Sequence, residues 1–221
     1  PNRFYDTDGG DYFTSLTTDP AFPFLNRAIQ SVYPPASTFK MVMTTAVVEE
    51  RSFPLTKAVL CKGKIDYGDR TFNCWEKTGH GYLDLLGGLA QSCDVYFYTV
   101  AREEDGLGVE RIASYARDFG LGTATGIDLP EERSGLVPDP DWKERVRHMP
   151  WVGGDTINLA IGQGDVTVTP LQLANAVAMI ANGGTLYRPH LLKEKRDPVS
   201  GAVIDRVQPE VLRTSRVSPG T

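Results

Sequence analysis

Two side chains three positions apart give this sequence its first chemical reading: Ser37 and Lys40, in the run Ser37-Thr38-Phe39-Lys40. On a helix, positions i and i+3 share a face one turn apart. A hydroxyl beside an amine is a nucleophile with its base, provided the amine titrates well below the ~10.4 of a free lysine. Burial brings that about, and so does a second nearby cation. The apolar neighbours Phe39, Val42 and Met43 supply the burial. Near a helix start the serine also lies beside unpaired backbone N–H groups, which stabilise an oxyanion on an attacked carbonyl. The chemistry is acyl transfer through a covalent serine. The pair alone is a weak signal, because the same residue types describe a capping serine followed by an exposed lysine. The apolar run favours the first reading, since an apolar helix rarely admits a lone lysine without a partner.

A second set is Cys61, Cys74, His80 and Cys93, all of the cysteines and one of the three histidines. Three thiolates and an imidazole make a closed tetrahedral zinc shell of the structural type. Zinc there would cross-link a loop with little apolar content of its own. No short C-x-x-C knuckle is present, so the spacing is moderate evidence. The alternative is a Cys61–Cys74 disulfide, with Cys93 a buried thiol. His148 and His190 have no partner pattern and read as surface or loop residues. Trp75, Trp142 and Trp151 lie beside Gly or Pro in loops, where packing or a groove wall is their role.

The elements that must hold these groups are mostly helical. Residues 1–33 read as irregular, broken by Gly9-Gly10, Asp19-Pro20 and Phe22-Pro23. After Pro34-Pro35, a helix is predicted over 37–50, apolar on most sides. Residues 51–81 read as loop with short strands. Short helices follow over 82–90 and over 94–102, the latter opened by Asp94 as an N-cap. An amphipathic helix spans 109–119, with Gly120 suited to the left-handed cap beyond it. Residues 120–154 read as surface wrapping. Thr169 caps a helix over 169–181, with Pro170 in its first turn and Gly183 past its end. A strand is expected to start within 186–193.

Composition is that of a folded globular chain: 221 residues, 41% hydrophobic and 23% charged. A net charge of -5 argues against a general affinity for nucleic acid or anionic lipid. No stretch is apolar for the ~18 to 20 residues that cross a bilayer, and residues 1–11 lack signal-peptide features. Pro1, and the ending Ser218-Pro219-Gly220-Thr221, read as cuts from a longer, membrane-tethered parent.

Three blocks carry a family resemblance. Asn26-Arg27-Ala28-Ile29 with Tyr33-Pro34-Pro35-Ala36-Ser37-Thr38-Phe39-Lys40 resembles the nucleophile segment of class B penicillin-binding proteins. Gln91-Ser92-Cys93-Asp94-Val95-Tyr96-Phe97-Tyr98 resembles their second motif. Leu159-Ala160-Ile161-Gly162-Gln163-Gly164 with Thr169-Pro170-Leu171-Gln172 resembles a later family segment. The blocks fall in the family's order over roughly residues 20 to 190, and the rod-elongation subgroup, penicillin-binding protein 2, is the most similar.

The resemblance implies an α/β (α+β) fold of the penicillin-binding protein/serine β-lactamase-like type: a mainly antiparallel sheet flanked by helices, with a helical subdomain. Residues 1–221 would be one transpeptidase domain, incomplete at its C-terminus and without the family's membrane anchor and pedestal. It implies Ser37 as the acylated nucleophile and Lys40 as its partner. Ser92 would relay a proton to the leaving amine. Asp94, where the family often has Asn, would hold the Lys40 ammonium and contact substrate. Relatives include members with zinc beside the active site. Cys74, His80 and Cys93 match that arrangement, Cys61 is the fourth ligand, and Asp66 or Asp69 could replace a cysteine.

Lys77-Thr78-Gly79 spells the family's third motif. It precedes Ser92 in a Gly-rich loop, so the true copy is expected after residue 221, and an incomplete site is expected of this stretch alone. The implied activity is peptidoglycan D,D-transpeptidation in cell-wall elongation, on D-alanyl-D-alanine stem peptides, with β-lactams acylating the same serine. The implied setting is the extracytoplasmic face of the bacterial inner membrane, beside elongation-machinery proteins that include a SEDS-type glycosyltransferase. Two rivals remain open. One is a serine β-lactamase or β-lactam sensor, which deacylation rate separates. The other is a non-catalytic zinc-stapled scaffold, which would not label with penicillin.

Overall fold

The computed structural model describes residues 2–218 and 220–221. Pro1 and Pro219, read above as parts of cut ends, lie outside them. After a 3-10 turn over Asn2–Tyr5 come α1 (Gly9–Thr17), a second 3-10 turn (Ala36–Phe39) and α2 (Lys40–Glu50). The middle holds β1 (Val59–Cys61), β2 (Lys64–Tyr67), β3 (Arg70–Asn73), β4 (Gly81–Leu83), α3 (Leu85–Ala90) and α4 (Asp94–Val100). Then follow α5 (Gly108–Asp118), α6 (Pro140–Arg147), α7 (Gly153–Ala160), α8 (Pro170–Ala181), β5 (Thr185–Tyr187), β6 (Glu194–Arg196), β7 (Val203–Arg206) and β8 (Val211–Thr214). Strands and helices mix as expected, and every strand pair is antiparallel. The strands do not form one large sheet. Among the described residues they make four two-stranded pairs, β1–β4, β2–β3, β5–β8 and β6–β7, each strand only three or four residues long.

The core is helical. On α2, Val42, Met43, Ala46 and Val47 are buried against α5, whose Val109, Ile112, Ala113 and Ala116 form the expected stripe. Gly120 follows it in the left-handed region. Burying such side chains stabilises the fold by roughly 1.5–3 kcal/mol each. α4 lies at the centre: Val95, Tyr96, Phe97, Tyr98 and Val100 are all buried. In short α3, position 88 requires glycine, because a Cβ there would overlap the Tyr96 ring.

Several expectations shift. The helix predicted from Ser37 begins with the 3-10 turn, and regular α geometry starts at Lys40. The predicted 82–90 helix divides into β4 and α3. Its start is set by Asp84, whose carboxylate accepts from the Gly87 N–H at 2.9 Å. Asp94 is not an N-cap: Cys93 holds that position, and the Asp94 carboxylate turns inward. Thr169 behaves as expected, accepting from the Gln172 N–H while Gln172 accepts from the Thr169 N–H. Two helices cross the stretch read as surface wrapping. In α6, Asp139 accepts from the Trp142 N–H at 2.7 Å. In α7, Asp155 accepts from the Val152 N–H at 2.8 Å and also pairs with buried Lys143. No helix among the described residues is long and apolar enough to cross a membrane.

Candidate active site and metal-binding cluster

The Ser37 turn is pinned before it starts. Tyr33 and Val168 exchange two backbone hydrogen bonds of 2.9 Å, and the Ala36 N–H donates to the Gly162 carbonyl at 2.9 Å. Thr38 Oγ1 donates to the Pro35 carbonyl, and the Phe39 ring is fully buried. Ala36 has φ 48, in the left-handed region that non-glycine residues seldom occupy. Such backbone costs of order 1–3 kcal/mol and persists where its surroundings over-determine it.

The main determinant on the other side of that contact is Gly162, at φ 69. A Cβ there would overlap the Ala36 carbonyl oxygen and crowd the Phe39 Cβ. Gly162→Ala is therefore expected to cost about 2–4 kcal/mol through strain and displacement of the nucleophile turn. Denaturant unfolding measures it, and an unchanged midpoint would contradict this packing.

Lys40 is 1% exposed, and its Nζ is the hub of the site. It donates to Ser37 Oγ at 3.2 Å, to the Ser92 carbonyl at 2.8 Å, to Ser92 Oγ at 3.0 Å and to Asp94 Oδ1 at 2.6 Å. The Phe97 ring lies 5.5 Å from Nζ. Four oxygens surround three protons, so two acceptors share one donor. Asp94 supplies the countercharge a buried ammonium requires, and its second oxygen accepts from the Trp75 N–H at 3.2 Å. Ser92 also has φ 51. The structure thus brings together Ser37, Lys40, Ser92 and Asp94, from two segments more than fifty residues apart. The surroundings are not dry throughout: Ser37 is exposed, Ser92 half-buried, and Lys40 and Asp94 buried.

Lys77-Thr78-Gly79 does not contribute. Thr78 donates twice to the Glu76 carboxylate, and Gly79 packs on the Cys61–Gly63 backbone, so these residues form a turn beside β1. His148 and His190 are exposed, as expected. Trp75, by contrast, is not packed. It is 61% exposed, and its Nε1–H donates to the carbonyls of Gln91 and Ser92. Nothing in the residue types announced that link or the Ala36–Gly162 contact, because both run through backbone.

Strand register gathers the second cluster. Cys61 on β1 pairs with Gly81 on β4, which brings His80 beside it. In the β2–β3 hairpin Lys64 pairs with Asn73, and the Cys74 N–H donates to the Gly63 carbonyl at 2.8 Å. Tyr98 Oη donates to the Asn73 carbonyl, tying the end of β3 to α4, the helix that Cys93 precedes as N-cap. The ligand atoms of Cys61, Cys74, His80 and Cys93 all lie within 4.8 Å of one another, and all three cysteines are free. Bonds of about 2.3 Å in a tetrahedral zinc shell place sulfurs about 3.8 Å apart, so small movements would close it. His80 Nδ1 is 3.6 Å from Cys74 Sγ, and Nε2 is buried without a hydrogen-bond partner. Three free thiols and an imidazole nitrogen, Nδ1, gathered in this way are a donor set that fits a soft divalent ion. Asp66 and Asp69 are exposed, and the four-residue cluster includes neither. Burial pushes the Cys61 thiol up, but hydrogen bonds from the His80 and Gly63 backbone outweigh it and bring it down to about 7. Burial pushes Cys93 upward.

Comparison with known proteins agrees with this geometry. The model of the penicillin binding protein transpeptidase domain matches residues 1–221. The chain is 37% identical over 213 residues to the peptidoglycan D,D-transpeptidase MrdA of Haemophilus influenzae, covering 96% of this chain and 32% of that protein. It is 40% identical over 195 residues to the MrdA of Acinetobacter baumannii, covering 87% and 29%. Among solved structures, the complex between penicillin-binding protein PBP2 and MreC from Helicobacter pylori matches with a TM-score of 0.76 at 34% identity, covering 90% of this chain and 36% of that one. The chain therefore spans about a third of the length of the curated relatives it matches. A buried lysine joined to two serines and a carboxylate, on a fold shared with these relatives, makes this chain a member of the penicillin-binding protein transpeptidase family.

Proposed function

We propose that this chain carries the acylation centre of a peptidoglycan D,D-transpeptidase of the cell-elongation type. The observation that supports it most is the Lys40 Nζ within hydrogen-bond reach of Ser37 Oγ, Ser92 Oγ and Asp94 at once. Acylation requires a base for the Ser37 proton, and Lys40 Nζ is placed to take it as Oγ attacks the penultimate D-alanyl carbonyl of a stem peptide. The N-terminal position of Ser37 on its helix places unpaired backbone N–H groups near the developing oxyanion. The proton passes from Nζ through Ser92 Oγ to the leaving nitrogen. Terminal D-alanine departs, and the acyl group remains as an ester on Ser37. An amine of a neighbouring stem then attacks the ester and gives up its proton along the same route, and Ser37 Oγ is released protonated. Asp94 stays anionic throughout and holds Nζ between the serines. A β-lactam opens on the same path, but its leaving nitrogen stays tethered, so the acyl-enzyme persists.

Cys61, Cys74, His80 and Cys93 would hold a structural zinc ion, which supplies cross-linking of the β1–β4 segment and no reactive position. Cys93 separates Ser92 from Asp94, so that staple would also fix the two motif residues. The setting proposed is the extracytoplasmic face of the inner membrane, beside elongation proteins that include a SEDS-type glycosyltransferase; the structural neighbour in which PBP2 is bound to MreC favours such partners.

The test supplies full-length protein with pentapeptide stems and an acceptor amine. The expected result is one D-alanine released per cross-link and a β-lactam adduct that outlasts many turnovers. Rapid β-lactam hydrolysis, or neither D-alanine release nor labelling, would overturn the reading.

A further inference from the structure

Trp75 spends its polar atoms in an unusual way. Its ring is 61% exposed, yet its indole Nε1–H donates to the Ser92 carbonyl at 3.1 Å and the Gln91 carbonyl at 3.2 Å. Its main-chain N–H donates to Asp94 Oδ2 at 3.2 Å. Two of the three receiving residues grip Lys40: the Ser92 carbonyl accepts from Nζ at 2.8 Å, and Asp94 accepts through its other oxygen at 2.6 Å. One residue outside the acylation centre, through its indole N–H and its main-chain N–H, thus touches two of the groups that fix the position of the amine.

Ser92 needs such help. At φ 51 it occupies the left-handed region without being glycine. That conformation lasts only while neighbours hold it. Its own N–H donates to the Leu89 carbonyl at 3.0 Å, and its carbonyl is held by Lys40 and by Trp75. Of the two groups on that carbonyl, Lys40 is a reacting group and must move protons. The indole N–H has no reason to change during turnover. The ring edge meets His80, 5.1 Å away between centroids, so the indole is seated from below as well.

We propose that Trp75 is a positioning residue: its indole N–H sets the direction of the Ser92 carbonyl, and through it the place of Lys40 Nζ against Ser37. The proposal rests on the reading of Ser37 as the acyl carrier. It differs from two plainer roles for an exposed tryptophan, a stacking platform for substrate and a structural cover over the cysteine–histidine cluster. Phenylalanine keeps a smaller aromatic face and lacks the indole N–H, while the main-chain N–H stays, so with melting and metal content measured beside it the three roles separate.

The experiment uses full-length wild type, Trp75→Phe and Trp75→Ala with a chromogenic cephalosporin in stopped flow. It resolves the non-covalent dissociation constant from the first-order acylation constant, with melting temperature and zinc content measured alongside. Loss of a hydrogen bond made through the reacting groups predicts acylation about tenfold slower in Trp75→Phe, and a similar loss in Trp75→Ala. The dissociation constant stays within about twofold, and melting and metal content are unchanged. Wild-type acylation by Trp75→Phe overturns the proposal, as does a change confined to the dissociation constant, the mark of a platform. A rate that falls only in step with melting temperature or metal content also overturns it. Wild type that is not acylated overturns the transpeptidase reading itself, a distinct result.

Discussion

Ser37→Ala abolishes acylation by penicillin while leaving the protein folded, with a rate loss of about 10⁴-fold or more, as expected when a nucleophile that acts with its base is removed. Ser37 is exposed and its hydroxyl contributes one 3.2 Å contact to Lys40, so little stability depends on it. Lys40→Met has a different signature. It removes the base, worth roughly 10²–10⁴-fold, and leaves the buried Asp94 carboxylate without its cation. Breaking a buried pair from one side costs about 3–5 kcal/mol. Lys40→Met should therefore lose both rate and stability. The double change Lys40→Met with Asp94→Leu should recover much of the stability and none of the rate, because replacing both charges avoids the orphaned carboxylate. Acylation kinetics beside denaturant melts read both quantities. A stable Lys40→Met protein would show that the ion pair does not hold the site as described.

Metal removal is the second large effect. Purified full-length protein is expected to carry about one zinc per chain. A metal bound only by the native state stabilises it by RT ln(1 + L/Kd), where L is the free metal concentration, which is less than the standard binding free energy at ordinary metal concentrations. Structural zinc sites in small domains bind with about 10–16 kcal/mol, and a loss of about 5 kcal/mol on chelation is a modest share of that. For a chain of this size that lowers the melting temperature by roughly 10–20 °C. Acylation should fall as well, since Cys93 adjoins both Ser92 and Asp94. Cys93→Ser should reduce it more than Cys61→Ser, which lies on β1, away from the motif. Metal-free protein that melts unchanged after chelation, or a Cys61–Cys74 disulfide found by thiol counting, would contradict the zinc assignment.

The sequence made some of this site legible and hid the rest for physical reasons. Ser37 and Lys40 could be read directly because helical spacing links them locally. The cysteine–histidine set was visible because it exhausts the cysteines, although the register that assembles it lies in four strands of three or four residues. Ser92 and Asp94 were reached only through the resemblance of their neighbours. Nothing local says that a residue fifty positions on will meet Lys40. Asp94 also looked like a helix cap, and only burial and the Lys40 ammonium show why its carboxylate turns inward. The helix α6 carries a local signal, Asp139-Pro140 as a cap followed by a first-turn proline, but the Gly- and Pro-rich stretch around it masks that signal. The helix α7 was harder, because Gly153-Gly154 argues against a helix and its start depends on the Asp155–Lys143 pair. Trp75 and Gly162 could not be found from residue types, since each acts on a backbone carbonyl or amide rather than on a recognisable partner.

Mass spectrometry with peptide mapping after penicillin exposure addresses the acyl-carrier claim most directly. The full-length protein should gain the mass of one intact penicillin, and the adduct should map to Ser37 in wild type and vanish in Ser37→Ala. An adduct on any other residue, or a folded wild-type protein that gains no mass, would contradict the account.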